Sequence, residues 1–114
     1  VENAGHLAAV DRGLVAVMHS STGTARAAAQ GMDYRIAGKT GTAQRVTRRG
    51  DTSTSLDDLP FHLRHRALFM AYAPAEDPRL ALALVVESGG SGSRAAAPVA
   101  RRIFDAWLAR EEDR

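Results

Sequence analysis

Two apolar segments that alternate with a period of two, joined by a short proline-marked turn, place the strongest constraint on the fold of this 114-residue chain. The segments are residues 66–73 and 80–86, and alternation of this kind is typical of strands with two distinct faces. Because the connection between them, residues 74–78, is a tight turn, the two strands are predicted to pair antiparallel. The second strand has a face of small residues that suits a helix lying close across the sheet, formed by Ala81, Ala83 and Val85.

A third strand and an N-terminal helix precede this pair. Residues 34–46 carry β-branched and aromatic side chains, and two glycines within this predicted strand, Gly38 and Gly41, indicate room for the close approach of a ligand. The helical spacing of apolar residues predicts a helix over about residues 6–19. Asn3 is placed to cap this helix, and Gly13 inside it suggests close packing at that point.

The C-terminal part of the chain predicts a second helix over about residues 96–110, with Pro98 tolerable only in the first turn. Trp107 is expected to belong to the core. The order helix, strand, strand, strand, helix then predicts an α+β fold, a three-stranded antiparallel sheet packed by N- and C-terminal helices. The apolar stripe of the second helix consists of Val99, Ile103, Ala106 and Trp107.

Composition excludes several classes of protein. The 15 basic and 13 acidic residues leave a net charge of +2. The only dense basic patch, Arg45 with Arg48 and Arg49, belongs to a polar loop, so no nucleic acid partner is predicted. The chain has no cysteine and therefore no disulfide or cysteine-based metal site. No apolar run approaches the roughly 20 residues of a membrane span. Because the chain starts at Val1 without methionine or signal peptide, we expect it to be an excised segment.

Residues 38–44, Gly-Lys-Thr-Gly-Thr-Ala-Gln, contain the only lysine of a chain whose other 14 basic residues are arginines. On a strand, Lys39 and Gly41 point to one side, and Thr40 and Thr42 point to the other. Gly41 would let an extended substrate pair with the backbone as an added strand. The Thr42 N–H could then donate to a substrate carbonyl, as in an oxyanion hole. Since two hydroxyls and an ammonium favour a carboxylate, the pattern predicts a site for an acyl donor that ends in one.

Other interpretations of this motif and of the histidines are weaker. A phosphate-binding loop would need a glycine at position 33, where the sequence has Asp33. A turn with an exposed lysine stays open as an alternative. His62 and His65 could suggest zinc, but a convincing third ligand is lacking. We therefore predict no metal and no cofactor.

Two further groups of polar residues are not predicted to be catalytic. Asp57 and Asp58 are adjacent, so their side chains diverge and a solvated pair is the better interpretation. Ser20 and Ser21 are weak candidates for a nucleophile, since only His19 could act as a base beside them and a serine at a helix end is normally a cap.

The segment of residues 34–44 resembles the third active-site motif of class B penicillin-binding proteins, a family in which Lys-Thr-Gly is a catalytic signature. Gly23-Thr24-Ala25 fits the family's segment before this motif. Residues 67–74 resemble the following strand, and residues 85–92 and 95–103 resemble the last strand, the glycine turn and the final helix. Gln44 and the glycine-rich link favour the elongation type, penicillin-binding protein 2, over the division type. Arg66 stands where the family commonly has a histidine, and His65 precedes it.

The resemblance implies a peptidoglycan D,D-transpeptidase of cell elongation, part of a serine β-lactamase/transpeptidase-like domain. Such an enzyme forms a serine acyl-enzyme on a D-Ala-D-Ala stem peptide, passes the acyl group to an amine, and is the target of β-lactams. By position, Lys39 would orient the serine of the second motif, Thr40 and Thr42 would hold the terminal carboxylate beside Gly41, and the Thr42 N–H would complete the oxyanion hole. The implied partners are a membrane glycosyltransferase and elongation-complex proteins, at the periplasmic face of the bacterial inner membrane, with the anchor outside this chain.

The nucleophile of this chemistry is expected outside the chain. Lys39 is the only lysine, so a Ser-x-x-Lys motif would need a serine where Ile36 stands, and a Ser-x-Asn motif ending at Asn3 would need one at Val1. We therefore expect residues 1–114 to be the incomplete C-terminal portion of a transpeptidase domain, one wall of the site and inactive alone. Alternatives are a division-type transpeptidase, a D,D-carboxypeptidase or, from another class, a non-catalytic β-lactam-sensing or partner-docking module.

Overall fold

The computed structural model describes residues 3–43, 66–87 and 90–112. The first helix, α1, spans Ala4–His19, close to the predicted range. Asn3 caps it as predicted, because its side-chain oxygen accepts a hydrogen bond from the Gly5 N–H at 2.8 Å. This bond satisfies one of the free amides of the first helical turn. The helix ends at His19, after which Ser20 adopts an extended backbone conformation.

Three strands follow, namely β1 (Ala37–Ala43), β2 (Arg66–Ala73) and β3 (Leu80–Val86). They form one antiparallel sheet in the order β1-β2-β3, which confirms the predicted α+β arrangement and the antiparallel β2–β3 pair. Strand β1 begins at Ala37 rather than at residue 34, and residues 44–46 of the predicted strand lie outside the described residues. Within the described part of the chain, β1 is therefore an edge strand with one side available for pairing.

The C-terminal helix, α2, spans Ala97–Glu112 and follows a π-helical turn over Gly92–Ala96. The buried side of α2 differs from the predicted stripe, because Val99 and Ile103 are each 44 % exposed. The residues that are completely buried are instead small, apart from one aromatic ring. Small side chains let a helix axis come close to a sheet, and the ring fills the space that remains. These buried residues are Ala97, Ala100 and Phe104.

One face of the β2–β3 pair forms the core under α2. Phe69 lies opposite Leu84 and Ala71 lies opposite Leu82, so all four side chains point to the same face. The small-residue face was predicted to carry a helix along β3, but Ala83 is exposed and Val85, on the same face, is 53 % exposed, so no described helix covers this part of the face. In the described residues, α2 packs on the face with leucines because burying them removes more apolar area from water.

Helix α1 approaches the sheet from its other face. The Tyr72 side chain points away from the Phe69 face by strand alternation, and its hydroxyl donates a hydrogen bond to Asp11 of α1. The buried residues of α1 are Val15 and Met18, near its C-terminal end. The prediction of close packing at Gly13 is wrong within the described residues, since a Cβ placed there would meet nothing within 4 Å. None of the described helices has the length and apolarity needed to cross a membrane.

Candidate active site

Strand β1 carries all four residues predicted to form the site. Thr40 pairs with Phe69 and therefore points to the face covered by α2, whereas Lys39 pairs with Met70 and points to the opposite face. This alternation matches the predicted one. Lys39 and Thr42 are exposed and Thr40 and Gly41 are half-buried. Side chains on β1 are thus open to a ligand at this edge of the sheet.

The Thr40 side chain has a partner outside the sheet. Its Oγ1 lies 3.3 Å from Oγ1 of Thr24, a hydrogen-bond distance at which either hydroxyl can donate. Thr24 follows α1 in a short loop that is tied to the helix end, because the N–H of Ala25 donates to the carbonyl of Val17 at 3.0 Å. Ala25 itself is only 1 % exposed. The loop therefore holds the Thr24 hydroxyl in a fixed place beside Thr40.

The Lys39 ammonium stays close to its own strand. Its Nζ donates to the carbonyl oxygen of Thr40 at 2.7 Å, and the side chain is exposed. An ammonium has three donors, so one contact of this kind leaves two for other acceptors. Lys39 can therefore place a positive charge and further donors at the edge of β1 while it remains anchored.

The two glycines that were expected to admit a ligand have different surroundings. A Cβ at Gly38 would lie 2.6 Å from Cζ of Phe69, so the Phe69 ring already fills this space and the prediction is wrong for Gly38. A Cβ at Gly41 would meet Leu68 at an ordinary distance of 3.4 Å. Room for a ligand at Gly41 stays a prediction.

A third glycine, Gly92, is essential for the packing behind β1. A Cβ on Gly92 would lie 2.4 Å from the carbonyl oxygen of Leu68 and 2.6 Å from that of Gly41. The π-helical turn before α2 therefore rests directly on the backbone of the β1–β2 pair. The sequence indicated only a glycine turn in this region, because nothing local in a glycine-rich turn reveals which backbone it contacts.

Ser20, one of the two weak nucleophile candidates, and the neighbouring His19 both have structural roles. The Ser20 hydroxyl accepts a hydrogen bond from the Thr22 N–H at 3.1 Å, which is the behaviour of a turn residue. Nε2 of His19 accepts from the Ile36 N–H at 3.0 Å, so this nitrogen is not available as a base. Burial, and then the nearby positive charge of Arg35, lower the pKa of His19 below its ordinary range. The contact ties the end of α1 to the residue just before β1.

Several predicted features cannot be placed in the site because they lie outside the described residues. This applies to the histidine pair, the adjacent aspartates, the basic patch and the last residue of the motif, which are His62, His65, Asp57, Asp58, Arg45, Arg48, Arg49 and Gln44. The role of Thr24 as a partner of Thr40 was missed, although its segment was recognised. Its Gly-Thr-Ala context was the available signal, but a contact between residues 16 positions apart depends on the loop geometry.

The chain is similar to known proteins over most of its length. Residues 3–105 match the family model of the penicillin binding protein transpeptidase domain. The chain is 38 % identical over 100 residues to the peptidoglycan D,D-transpeptidase MrdA of Haemophilus influenzae, covering 88 % of this chain and 15 % of that protein. It is 32 % identical over 93 residues to MrdA of Escherichia coli K12, covering 82 % of this chain and 14 % of that protein.

Solved structures show the same likeness. A crystal structure of Pseudomonas aeruginosa PBP2 in complex with WCK 5153 superposes with a TM-score of 0.75 at 40 % identity, covering 95 % of this chain and 20 % of that one. Helicobacter pylori PBP2, in a complex with MreC, gives a TM-score of 0.76 at 27 % identity over 92 % of this chain and 17 % of that one.

The fold and the Lys-Thr-Gly strand thus place the chain in the class of penicillin-binding protein transpeptidase domains. The chain belongs to the penicillin-binding protein transpeptidase family. Its similar relatives bear the names MrdA and PBP2, the elongation type of class B penicillin-binding proteins, which confirms the predicted resemblance. The chain spans 14–20 % of the length of these relatives.

Proposed function

We propose that this chain forms the Lys-Thr-Gly wall of the active site in a peptidoglycan D,D-transpeptidase of cell elongation. One observation carries the proposal: Lys39, Thr40, Gly41 and Thr42 lie together on an edge strand, with the hydroxyl of Thr40 backed by that of Thr24. Within the described residues, this arrangement combines an unpaired strand edge with a positive charge and two hydroxyls. These are the groups that an extended peptide ending in a carboxylate would require.

In the proposed reaction, the stem peptide pairs with the outer edge of β1 as an added strand. The hydroxyls of Thr40 and Thr42 receive its terminal carboxylate. The N–H of Thr42 donates to the carbonyl oxygen of the penultimate residue, where negative charge develops as the serine attacks. Because such a donor stabilises the transition state more than the ground state, it accelerates the reaction.

The remaining groups act at the nucleophile. A serine hydroxyl from another part of the protein attacks the carbonyl carbon, the bond to the terminal D-Ala breaks, and an amine later takes up the acyl group. Lys39 orients the serine of the second motif and adds positive potential to the site. Since the attacking serine is expected outside residues 1–114, the chain alone is inactive.

The same proposal gives the setting of the protein. The ligands are the D-Ala-D-Ala stem peptide and β-lactams, and the site faces the periplasm from a membrane anchor outside this chain. Elongation-complex proteins and a membrane glycosyltransferase are the proposed partners. The complex of Helicobacter pylori PBP2 with MreC supports a partner of this kind.

Labelling with a fluorescent penicillin tests the function. The full-length protein that contains this chain should be labelled covalently, and unlabelled benzylpenicillin should prevent it. Residues 1–114 produced alone should remain unlabelled. A full-length protein that takes no label would contradict the enzymatic proposal and favour a non-catalytic module, whereas labelling of the isolated chain would contradict the expectation that the nucleophile lies elsewhere.

A further inference from the structure

A groove lies next to the candidate site, on the face of the sheet that α2 covers. It has a volume of about 690 Å³ and is formed by the loop at Thr24, the short helical turn at Arg26–Ala29 and the start of α2. Its polar lining includes the hydroxyls of Thr24 and Ser93 and the guanidinium groups of Arg94 and Arg102. The groove is thus shaped by two separate parts of the chain rather than by one helix surface.

One arginine of the groove has a structural role. Arg101 donates through Nη1 to the carbonyl oxygen of Ala28 at 3.0 Å and also to that of Gln30. Its Nε lies 3.3 Å from Oδ2 of Asp105, the one acidic residue among the described residues that line the groove. The other oxygen of this carboxylate accepts from the Tyr34 hydroxyl at 2.6 Å. The single acid is therefore already paired.

Two arginines of the groove remain available. Arg94 and Arg102 are both exposed, and within the described ranges neither forms an ion pair or a side-chain hydrogen bond. Among the described residues, three guanidinium groups and one carboxylate line the groove, which gives these residues together a charge of +2. A groove of this charge, with hydroxyl donors beside it, favours an anion.

The groove is continuous with the strand that carries the motif. Thr24 lines the groove and its hydroxyl lies 3.3 Å from that of Thr40. On the other side, the backbone of Gly92 rests against Gly41, and Ser93 and Arg94 follow immediately. A ligand held at the hydroxyl of Thr40 would therefore lie next to the end of this groove that Thr24 lines.

We propose that the groove is a carboxylate subsite for the peptide substrate, with Arg94 as the main cation and Arg102 as the second. The proposal rests on the proposed function, since the ligand is the same peptide that pairs with β1. A guanidinium group holds a carboxylate through two parallel N–H donors, which a lysine does not reproduce. The carboxylate is either the terminal one, shared with Thr40, or a second one elsewhere on the peptide.

Kinetics with two kinds of ligand test this subsite in the full-length protein. The variants are Arg94→Ala, Arg94→Lys and Arg102→Ala, with Arg110→Ala as the control, because Arg110 is an exposed arginine of α2 that lies outside the groove. The ligands are benzylpenicillin, which has one carboxylate, and a stem peptide with a second carboxylate, together with its amide at that position.

We expect Arg94→Ala to weaken use of the peptide by roughly tenfold or more through KM, Arg94→Lys to recover part of this, and Arg110→Ala to behave as wild type. If Arg94→Ala is also acylated more slowly by benzylpenicillin, the groove binds the terminal carboxylate. If Arg94→Ala and wild type use the amide peptide equally well, the groove binds the second carboxylate. If Arg94→Ala matches wild type with every ligand, the subsite is wrong.

The subsite and the proposed function can fail separately. A wild-type protein that does not react with benzylpenicillin contradicts the function, and calorimetric binding of the two peptides to wild type and Arg94→Ala still tests the groove. Equal binding of both peptides to both proteins overturns the subsite in that case as well.

Discussion

The hydroxyl oxygens of Thr24 and Thr40 lie 3.3 Å apart, which joins the loop after α1 to the strand that carries Lys-Thr-Gly. The loop is held in place by the hydrogen bond from the Ala25 N–H to the Val17 carbonyl. A hydroxyl with a fixed partner keeps one orientation. The Thr40 hydroxyl is therefore already oriented to donate a hydrogen bond to a ligand before the ligand binds. This contact makes a residue outside the motif part of the candidate site.

Thr24→Val should slow acylation without unfolding the protein. Valine has nearly the same shape as threonine but no hydroxyl, so Thr40 loses its partner. We expect the second-order rate constant for benzylpenicillin to fall roughly fivefold, the equivalent of one ordinary hydrogen bond. Thr22→Val is the matched control, because Thr22 lies in the same loop and, among the described residues, its hydroxyl forms a hydrogen bond with Ser20 rather than with β1. Equal rates for the two variants would contradict the positioning role of Thr24.

Gly92→Ala should destabilise the domain. The added methyl would lie 2.4 Å from the Leu68 carbonyl oxygen and 2.6 Å from that of Gly41, so the π-helical turn must move away from the sheet. Overpacking of this kind typically costs about 1–3 kcal/mol. Thermal unfolding should show a lower midpoint, and acylation should slow because β1 shifts.

Gly13→Ala is the control for this substitution. Nothing lies within 4 Å of a Cβ at Gly13, and alanine favours the middle of a helix by about 0.5–1 kcal/mol over glycine. We therefore expect a neutral or slightly higher midpoint. A midpoint for Gly92→Ala at or above that of Gly13→Ala would show that the turn is not packed as described.

The junction between α1 and β1 should weaken in mild acid. Because burial and Arg35 lower the pKa of His19, the folded protein binds fewer protons than the unfolded chain below the ordinary value of about 6.5. The stabilisation that neutral His19 gives the folded protein is therefore fully present above the ordinary pKa, and it is lost as the pH falls towards the lowered pKa of the folded state. Protonation of Nε2 also removes the acceptor for the Ile36 N–H, while Glu76 nearby opposes part of the shift.

Hydrogen exchange measures this effect directly. In the full-length protein, the amide of Ile36 should keep its protection above about pH 6.5 and lose it progressively as the pH falls below that value, after correction for the intrinsic exchange rate. His19→Gln should remove most of this pH dependence, whereas His6→Gln, on the exposed first turn of α1, should keep it. Protection of Ile36 that does not change with pH in wild type would contradict the role of His19.

Periodicity in the sequence was sufficient for the elements but not for every packing face. The alternation in residues 66–73 and 80–86 specified β2, β3 and their antiparallel pairing, because strands with two distinct faces leave this pattern directly. The same approach failed for α2, where Val99 and Ile103 are exposed and Phe104 is buried. Several faces of α2 carry apolar residues, so the buried one depends on which fits the sheet.

In the candidate site, the directions of the side chains on β1 were predictable from the sequence, but the contacts between distant segments were not. Lys39, Thr40 and Thr42 alternate on β1 as expected, because a strand fixes the direction of successive side chains. The partner of Thr40 and the need for glycine at position 92 were not predictable. Both arise from contacts between segments that are distant in sequence, namely Thr24 with Thr40 and Gly92 with Gly41.

The rate of acylation by benzylpenicillin in full-length wild type and Lys39→Ala tests the central claim most directly. If β1 is the Lys-Thr-Gly wall of a transpeptidase site, loss of the ammonium should reduce the second-order rate constant by roughly 10²-fold or more. The circular dichroism spectrum should be unchanged, and Arg110→Ala should react as wild type. Acylation of Lys39→Ala at the wild-type rate, with the fold intact, would contradict the assignment of β1 to the active site.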